Sequence, residues 1–357
     1  MTQQQGIDSA MIGMRRAIQV QQLGDETASW ERFVDECPEA TFFHRAGWRT
    51  VIQKVFGHPC FYLYAESSEG LQGILPLVQI NSRLFGNALI SNPFCVYGGI
   101  ASVTEDAAEA LTKAACDLAD SLAVDYLEMR HLKRRNSNWP VKDGLYVTFR
   151  KELEPDPEAN LLAIPRKQRA MVRKGIQAGL HSEIDSDVER LYAAYSESVR
   201  NLGTPVFPKR YFGVLKDTFG DDCEVLTVTH QGQTIAAVMN FYFRDQVLPY
   251  YGGGTEQARL YKGNDFMYWD VMRRACERGI LVFDYGRSKV GTGSYSFKKN
   301  WGFTPEPLFY EYHLVRAKTL PDINPLNPKY RLFIQLWKRL PLPLSQLLGP
   351  YLARNLG

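Results

Sequence analysis

Two stretches of the sequence repeat each other at a separation of 163 residues. The segment from Thr41 to Cys60 aligns without gaps to the segment from Thr204 to Cys223, and threonine, valine, a Phe-Gly pair and cysteine recur at matching positions. An aromatic residue recurs as well, since Trp48 aligns with Tyr211. A repeat on this scale indicates a duplicated folding unit, and it constrains the fold more than any single motif does.

The same succession of predicted elements follows each copy. An alternating stretch, a turn and a second apolar run predict a β-hairpin, and a Tyr-Gly-Gly sequence, a helical pattern and a last strand come next. The two last strands carry acids at matched places, Glu128 and Asp284. This order predicts an α+β class, a mixed α/β sheet with helices against it. Identities within the aligned segment are few, so the inference of duplication depends on the shared element order.

The length fits two such units, because single cores rarely grow beyond about 250 to 300 residues and the chain has 357. Between the copies, an acidic, proline-containing stretch leads into a basic helix with Pro165 in its first turn. After the second copy, residues 330–340 predict an amphipathic helix ended by Pro341 and Pro343. We therefore predict an N-terminal domain, a basic linker helix, a C-terminal domain and a short helical tail, over residues 17–155, 156–179, 180–317 and 318–357.

Composition excludes several classes of protein. Forty-two Lys and Arg against 39 Asp and Glu leave a net charge of +3, too small for the whole surface to bind a polyanion, so DNA is not an expected partner. The six cysteines include no Cys-x-x-Cys pair, which favours a reducing compartment over a disulfide frame. Residues 1–16 lack the apolar core of a signal peptide, and no apolar run reaches 18 residues. The expected location is the cytoplasm.

The most informative motif is FDYGRSKVGTGSYSFKKNWGF, which runs from Phe283 to Phe303. It predicts a strand, a glycine-rich loop, a short helix that holds a Phe-Lys-Lys sequence, and an aromatic-Gly pair. A dinucleotide-binding G-x-G-x-x-G pattern is disfavoured, because the third glycine is replaced by Ser296. The preceding helix is predicted over Asp265 to Arg278, with Asn264 as its N-cap and Gly279 at its end.

This succession of helix, Arg-Gly-Ile, D-x-G-R strand and F-K-x-x-W-G resembles the FemAB-like members of the GNAT acyltransferase superfamily. It also resembles the subgroup that accompanies PEP-CTERM and exosortase exopolysaccharide systems. The resemblance covers about residues 17–315. It implies two tandem GNAT domains and transfer of an acyl or aminoacyl group to an amine of a cell-envelope or exopolysaccharide precursor.

The lysine of the Phe-Lys pair contacts the aminoacyl-tRNA end in the peptidoglycan-bridge members of this family. The matching pair here is Phe297 and Lys298. A fixed ammonium stabilises the negative charge that develops on a carbonyl oxygen or a leaving group, so Lys298 is the first catalytic candidate. The alternative is a surface lysine that only anchors the loop.

Three further candidates lie where the last strand gives way to the loop, a usual place for functional side chains. They are Asp284, Tyr285 and Arg287. Asp284 is a catalytic candidate because it can accept a proton from the incoming amine, or can orient Arg287. A carboxylate at a strand end is as often a cap or an ion-pair partner, so the structural alternative stays open.

An aromatic strand breaks into glycines at Tyr251, Gly252 and Gly253, where a strand can splay and free its backbone N–H groups. In GNAT-like folds the donor carbonyl lies against such a strand, and the resemblance therefore implies a substrate-binding role. The corresponding region of the first copy contains Asn92 and Tyr97, which we expect to face the acceptor. Simple strand termination is the alternative.

The linker helix places Arg166, Arg169 and Arg173 at spacings of three and four, hence on one face. Such a face can bind the phosphates of a lipid- or nucleotide-linked glycan acceptor, of another small-molecule acceptor, or of tRNA, although basic helix faces are often only solvated. The sequence does not match the pyrophosphate-loop motif of acetyl-CoA-binding GNAT enzymes well, since the nearest stretch, which starts at Arg259, has the wrong spacing. The acyl donor stays open between aminoacyl-tRNA and an acyl-CoA-type thioester, and no tightly bound cofactor is expected.

Other functions are weaker hypotheses. The histidines show no ligand spacing and no hydrolase nucleophile motif occurs, so no metal site is expected. Cys95 stands in an apolar run, where a lone thiol usually packs. A non-catalytic module that binds a glycan precursor or RNA is the alternative function. The tail predicts at most peripheral membrane contact, with packing against a domain as the alternative.

Overall fold

The computed structural model describes residues 18–83, 85–321 and 328–356, with only the backbone described at 328–331. Its strands are β1 (Gln19–Gln22), β2 (Cys60–Ser67), β3 (Gly70–Ser82), β4 (Gly86–Ser91), β5 (Ala101–Ser102), β6 (Tyr126–His131), β7 (Val141–Lys142), β8 (Tyr146–Glu152), β9 (His181–Asp185), β10 (Cys223–His230), β11 (Gln233–Phe243), β12 (Gln246–Gly254), β13 (Val282–Asp284), β14 (Ser288–Lys289), β15 (Pro305–Pro307) and β16 (Phe309–Leu314).

The α-helices are α1 (Ala28–Glu36), α2 (Gly47–Phe56), α3 (Glu105–Ser121), α4 (Pro157–Ala163), α5 (Arg166–Gln177), α6 (Glu189–Leu202), α7 (Lys209–Phe219), α8 (Glu256–Tyr261), α9 (Gly263–Glu277), α10 (Gly293–Asn300), α11 (Pro328–Lys338) and α12 (Leu342–Ala353). In the described part of the chain, none of these helices has the length and apolar character needed to cross a bilayer.

The strands form two mixed sheets with the same internal order. The first runs β1-β2-β3-β4-β6-β16-β7, and the second contains β9-β10-β11-β12-β13-β8 as its corresponding series. In each sheet, two hairpins are followed by one parallel pair, β4 with β6 or β12 with β13. The predicted tandem, mixed α/β fold is confirmed.

The last strand of each series is exchanged between the two halves of the chain. Strand β8 pairs antiparallel with β13 of the second sheet, although it precedes the linker in sequence. Strand β16 returns to pair antiparallel with β6 of the first sheet. Both strands obey the repeat, since β8 begins at residue 146 and β16 at residue 309, 163 residues apart. Each sheet therefore contains one strand from the other half of the chain, and a division of the chain at residues 155 and 180 does not separate the two sheets.

The two sheets share one central core. Phe42 stacks on Phe241 of the second sheet with ring centroids 4.5 Å apart, and it lies 4.7 Å from Phe219. Trp48 and Tyr211, the aromatic pair of the repeat, are both fully buried in this layer. The outer faces are covered by α3 in the first domain and by α9 in the second. Apolar burial on this scale fixes the two domains to each other.

One local prediction about a helix end needs correction. Helix α9 begins at Gly263 after the left-handed Lys262, so Asn264 lies inside the helix and is not its N-cap. Its carboxyl end agrees with the prediction, because Gly279 has a φ of 72°. In the tail, α11 ends at Lys338, before Pro341 and Pro343, as predicted. The two prolines start α12, because proline is tolerated in a first helical turn.

The exchanged strands make each half dependent on the other. A chain ending at residue 155 would leave β6 without β16 and would expose β8 without β13. We expect residues 18–155 and 156–356 to be insoluble or unfolded when they are expressed singly, and to co-purify as a folded complex when expressed together. Circular dichroism and size-exclusion chromatography would test this, and a cooperative unfolding transition for either half alone would contradict it.

Candidate active site

Asp284 lies at the end of β13, in contact with three separate segments of the chain. The Tyr97 hydroxyl of the first domain donates to Oδ2 at 2.5 Å, and the Gly286 N–H donates to Oδ1 at 2.7 Å. The exchanged strand β8 supplies the Thr148 hydroxyl at 3.3 Å and the Arg150 Nε at 3.6 Å. The carboxylate is fully buried. Asp284 therefore connects the two domains at their boundary.

Lys298 is buried beneath the loop that follows Asp284. Its ammonium donates to the Gly286 carbonyl at 2.9 Å and to the Arg287 carbonyl at 3.1 Å. An ammonium has three N–H groups, so one is left for another acceptor. Burial lowers the pKa of Lys298 to about 7, while the nearby charge of Asp284 acts in the opposite direction and the Arg287 guanidinium lowers the pKa further. A charge held at this depth acts strongly on a bound carbonyl.

Aromatic rings surround the Lys298 ammonium, and the adjacent Lys299 lies in different surroundings. The centroids of the Phe149 and Tyr285 rings each lie 5.7 Å from Nζ. Phe297 packs against the same cluster, 6.4 Å from the Tyr285 ring. Lys299 is exposed and lies over Tyr295 instead. The two adjacent lysines of α10 thus point to different surroundings.

Arg287 contacts tyrosines rather than Asp284. Its guanidinium donates to the Tyr310 hydroxyl at 2.8 Å and lies over the Tyr146 ring, 4.8 Å from the centroid. Tyr310 in turn donates to the Val96 carbonyl of the first domain at 2.6 Å. Across residues 18–83, 85–321 and 328–356, no carboxylate lies within ion-pair distance of Arg287. Asp284 therefore does not orient Arg287 by direct contact, and this guanidinium keeps donors for an anionic ligand.

The predicted splay of the aromatic strand is present. Strands β12 and β13 pair through Gln246–Val247 and Val282–Phe283, and within the described residues the rest of β12 has no paired strand on that side. Helix packing requires Gly253, since a Cβ there would lie 2.6 Å from the Ser198 Cβ. Gly252 is closely packed, since a Cβ there would lie 3.0 Å from the Tyr268 hydroxyl. Tyr251 shares a hydrogen bond of 2.7 Å with Tyr211 in the central core.

Asn92 supports the first-domain loop that carries Tyr97. Its side-chain amide donates to the Phe43 carbonyl, and its φ of 46° marks a left-handed backbone position that asparagine tolerates. The Tyr97 ring packs edge-on against Phe43, with centroids 5.1 Å apart. Asn92 is fully buried, and it acts on the site by fixing the loop, through Phe43 and Tyr97.

The basic linker face lies outside this cluster. Helix α5 packs on α9 through Val172 and Gly175, which leaves Arg166 and Arg173 exposed, while Arg169 is half-buried and donates to the carbonyl of residue 162. The start of α5 approaches α10, because a Cβ on Gly302 would meet the Pro165 ring at 3.1 Å. The arginines are thus on a helix that neighbours the Lys298 helix. Within the described residues, none of their hydrogen bonds reaches Asp284 or Lys298.

Sequence reasoning missed the residues that the exchanged strands supply. Thr148 and Arg150 come from β8 and contact Asp284, and Tyr310 comes from β16 and contacts Arg287. The regular 163-residue separation of these two strands was a detectable signal. No local pattern reveals that each strand pairs with the other half of the chain.

Part of the chain matches a known family model. Residues 166–299 match the family model described as an acetyltransferase (GNAT) domain. The match covers the linker helix and most of the second domain, including Asp284 and Lys298. Among curated proteins, none matches the chain by sequence.

Solved structures with the same fold span nearly the whole chain. FemX aligns with a TM-score of 0.67 at 14% identity, over 88% of this chain and 100% of its own. L-PGS from Bacillus licheniformis aligns with a TM-score of 0.52 at 14% identity, over 90% of this chain and 99% of its own. A tandem GNAT protein from the clavulanic acid biosynthesis pathway aligns with a TM-score of 0.51 at 11% identity, over 85% of this chain and 100% of its own. At these identities the likeness establishes the tandem GNAT fold.

Proposed function

We propose that this protein transfers an activated acyl or aminoacyl group to an amine of a cell-envelope or exopolysaccharide precursor. The observation that carries the proposal is the buried Lys298 ammonium. It donates two N–H groups to the Gly286 and Arg287 carbonyls, and its third N–H can bind a ligand. The GNAT family model over residues 166–299 and the FemX-like fold support the same reaction class.

The reaction needs a positive charge where negative charge develops. The neutral amine of the acceptor attacks the donor carbonyl carbon, a C–N bond forms, and the oxygen becomes an oxyanion. The free N–H of Lys298 stabilises that oxyanion. When the tetrahedral intermediate collapses, the bond to the donor's oxygen or sulfur breaks. The proton lost from the amine leaves with that group or through Asp284, the candidate proton acceptor.

The donor is an aminoacyl-tRNA or an acyl-CoA-type thioester. The first turn of α9, where a helix N-terminus could hold a pyrophosphate, already carries the Asp265 carboxylate, and Gly263 there is tightly packed against Ala258 and Ile235. This disfavours the acetyl-CoA mode. The FemAB-like resemblance, including its PEP-CTERM subgroup, favours a glycan precursor as acceptor and a cytoplasmic location.

Mass spectrometry of small molecules and tRNA that co-purify with the protein tests this assignment. Recovery of an aminoacyl-tRNA or an acyl thioester, together with transfer to an amine-bearing glycan precursor, is the expected result. A ligand that binds tightly but is never acylated, with the same affinity in Lys298→Met, would instead support the non-catalytic binding module.

The basic face of α5 is expected to bind phosphates of the donor or acceptor. Arg166→Glu with Arg173→Glu should weaken tRNA binding by about tenfold or more at low salt, because two phosphate contacts become repulsive. Fluorescence anisotropy with labelled tRNA measures this. Lys54→Glu with Lys113→Glu, at two exposed lysines elsewhere, makes the same change in net charge. Equal weakening by both pairs would show only a general charge effect, and would remove the α5 face from the binding surface.

A further inference from the structure

The two C-terminal helices expose much of the protein's apolar surface. Fifteen large hydrophobic side chains are exposed in the described part of the chain, and seven of them lie on α11 and α12. We call these seven the tail face, which consists of Leu332, Phe333, Leu336, Leu344, Leu347, Leu348 and Tyr351. A concentration of this kind on a short segment marks an interaction surface rather than scattered surface residues.

Helix α12 packs with its small residues inward and its large residues outward. Ser345 and Ala353 are buried, and a Cβ on Gly349 would lie 2.8 Å from the Val206 carbonyl oxygen. The outward residues follow a spacing of three and four, which places them on one stripe of the helix. Leu347 and Tyr351 on that stripe are 63% and 69% exposed. A surface helix usually turns its large apolar residues toward the core, and α12 turns them toward solvent.

Helix α11 continues this surface. Trp337 is buried, and Ile334 lies against Gly203 at the end of α6, so this side of α11 is attached to the second domain. Leu332 and Leu336, one turn apart, face outward and are 66% and 56% exposed. The two helices lie on the protein by one side and present apolar residues on the other.

The charge of this segment tells which partner fits. Residues 328–356 contain five Lys and Arg and no Asp or Glu, in a chain whose charges are otherwise nearly balanced. Arg339 stands three residues after Leu336, and Arg354 stands three residues after Tyr351, so each extends an apolar stripe with an exposed cation. Apolar stripes flanked only by cations are typical of helices that lie in the interface of an anionic bilayer.

A cavity of about 480 Å³ lies at the edge of the same surface. It is lined by His58, Arg83, Tyr351 and Arg354 among others, and both arginines are exposed. The Arg354 Nη2 donates to the Phe56 carbonyl at 2.6 Å. The other N–H groups of Arg354 and those of Arg83, beside a surface tyrosine, provide donors that match a phosphate. A lipid headgroup can therefore be held where the apolar face ends.

We propose that the tail face docks on the surface of an anionic lipid bilayer, with the headgroup phosphates beside Arg83 and Arg354. A second copy of the chain fits less well, because a symmetric contact would bring together two segments that each carry only positive charge. Docking places the transferase domains beside the membrane. The inference stands apart from the proposed reaction, because it depends only on the tail.

Sedimentation of the full chain with vesicles tests the proposal without an activity assay. We expect at least about tenfold stronger partitioning to phosphatidylcholine vesicles that contain phosphatidylglycerol than to pure phosphatidylcholine, with a decrease as salt rises. Leu336→Gln with Leu347→Gln should lower partitioning to the anionic vesicles by about tenfold or more.

The matched control is Leu260→Gln with Leu281→Gln, at leucines that are 69% and 52% exposed and lie outside the tail. This variant should bind vesicles as the wild type does. Equal binding by the tail variant, equal loss in both variants, or no preference for anionic vesicles would overturn the proposal. So would a wild-type dimer that the tail substitutions convert to a monomer while neither form binds vesicles, since the face would then be a homodimer interface.

Discussion

Replacing Lys298 with alanine is expected to lower the rate of acyl transfer by about a hundredfold or more, the typical cost of losing one oxyanion-stabilising donor. Lys299→Ala should leave the rate nearly unchanged, because Lys299 is exposed over Tyr295, while Lys298 is buried beside Asp284. Single-turnover transfer to the natural acceptor measures both variants. Equal rates, or a larger loss at Lys299, would identify the wrong lysine.

Stability against pH tests the lowered pKa of Lys298 directly. The Lys298 pKa of about 7 lies below the value of 10.5 for an unperturbed lysine. Between these values the unfolded chain binds the proton that the folded chain has released, so folded-state stability rises with pH. The free energy of unfolding of the wild type, relative to Lys298→Met, should rise by roughly 1 kcal/mol per pH unit between about pH 8 and pH 10. A flat difference in urea denaturation over that range would contradict the lowered pKa of Lys298.

The repeat made much of the fold predictable. Its segments carry turn signals, apolar alternation and helix patterns in the same order, and these are local properties that a single sequence displays. Both hairpins, the helices that follow them and the acid-bearing strands are found where the repeat predicts them, with Glu128 and Asp284 each third in their strand. The motif around Phe297 and Lys298 was also local, so the helix that carries it was predictable.

The contacts of the site were not predictable in the same way. Thr148 and Arg150 reach Asp284 only because β8 joins the second sheet, and that choice depends on pairing over more than a hundred residues of sequence. The glycines of β12 show a similar limit. Their sequence indicated a ligand approach, which stays a prediction, and it did not reveal that Tyr268 and Ser198 pack closely beside them. Packing between distant elements decides such positions.

Asp284→Ala is expected to lower the free energy of unfolding by about 3 to 5 kcal/mol, the usual cost of removing one partner from a buried ionic group. The change leaves the Tyr97 hydroxyl and the Gly286 N–H without their acceptor. It also removes the carboxylate that raises the pKa of Lys298, so more of that lysine becomes neutral near pH 7. Transfer should therefore fall even under conditions where the variant is fully folded.

Glu128→Ala is the matched control, because the repeat places Glu128 at the corresponding position of the first domain. Glu128 is buried and accepts from Arg130 at 2.7 Å and from Tyr312 at 2.8 Å, so its removal should cost a similar free energy of unfolding. It contacts neither Lys298 nor the loop above it, and transfer per folded molecule should stay near the wild-type rate. Urea denaturation gives the two stabilities, and transfer assays without denaturant give the two rates. If Glu128→Ala slowed transfer as much as Asp284→Ala, the loss would come from weakened domain structure, and Asp284 would have no specific role at the Lys298 site.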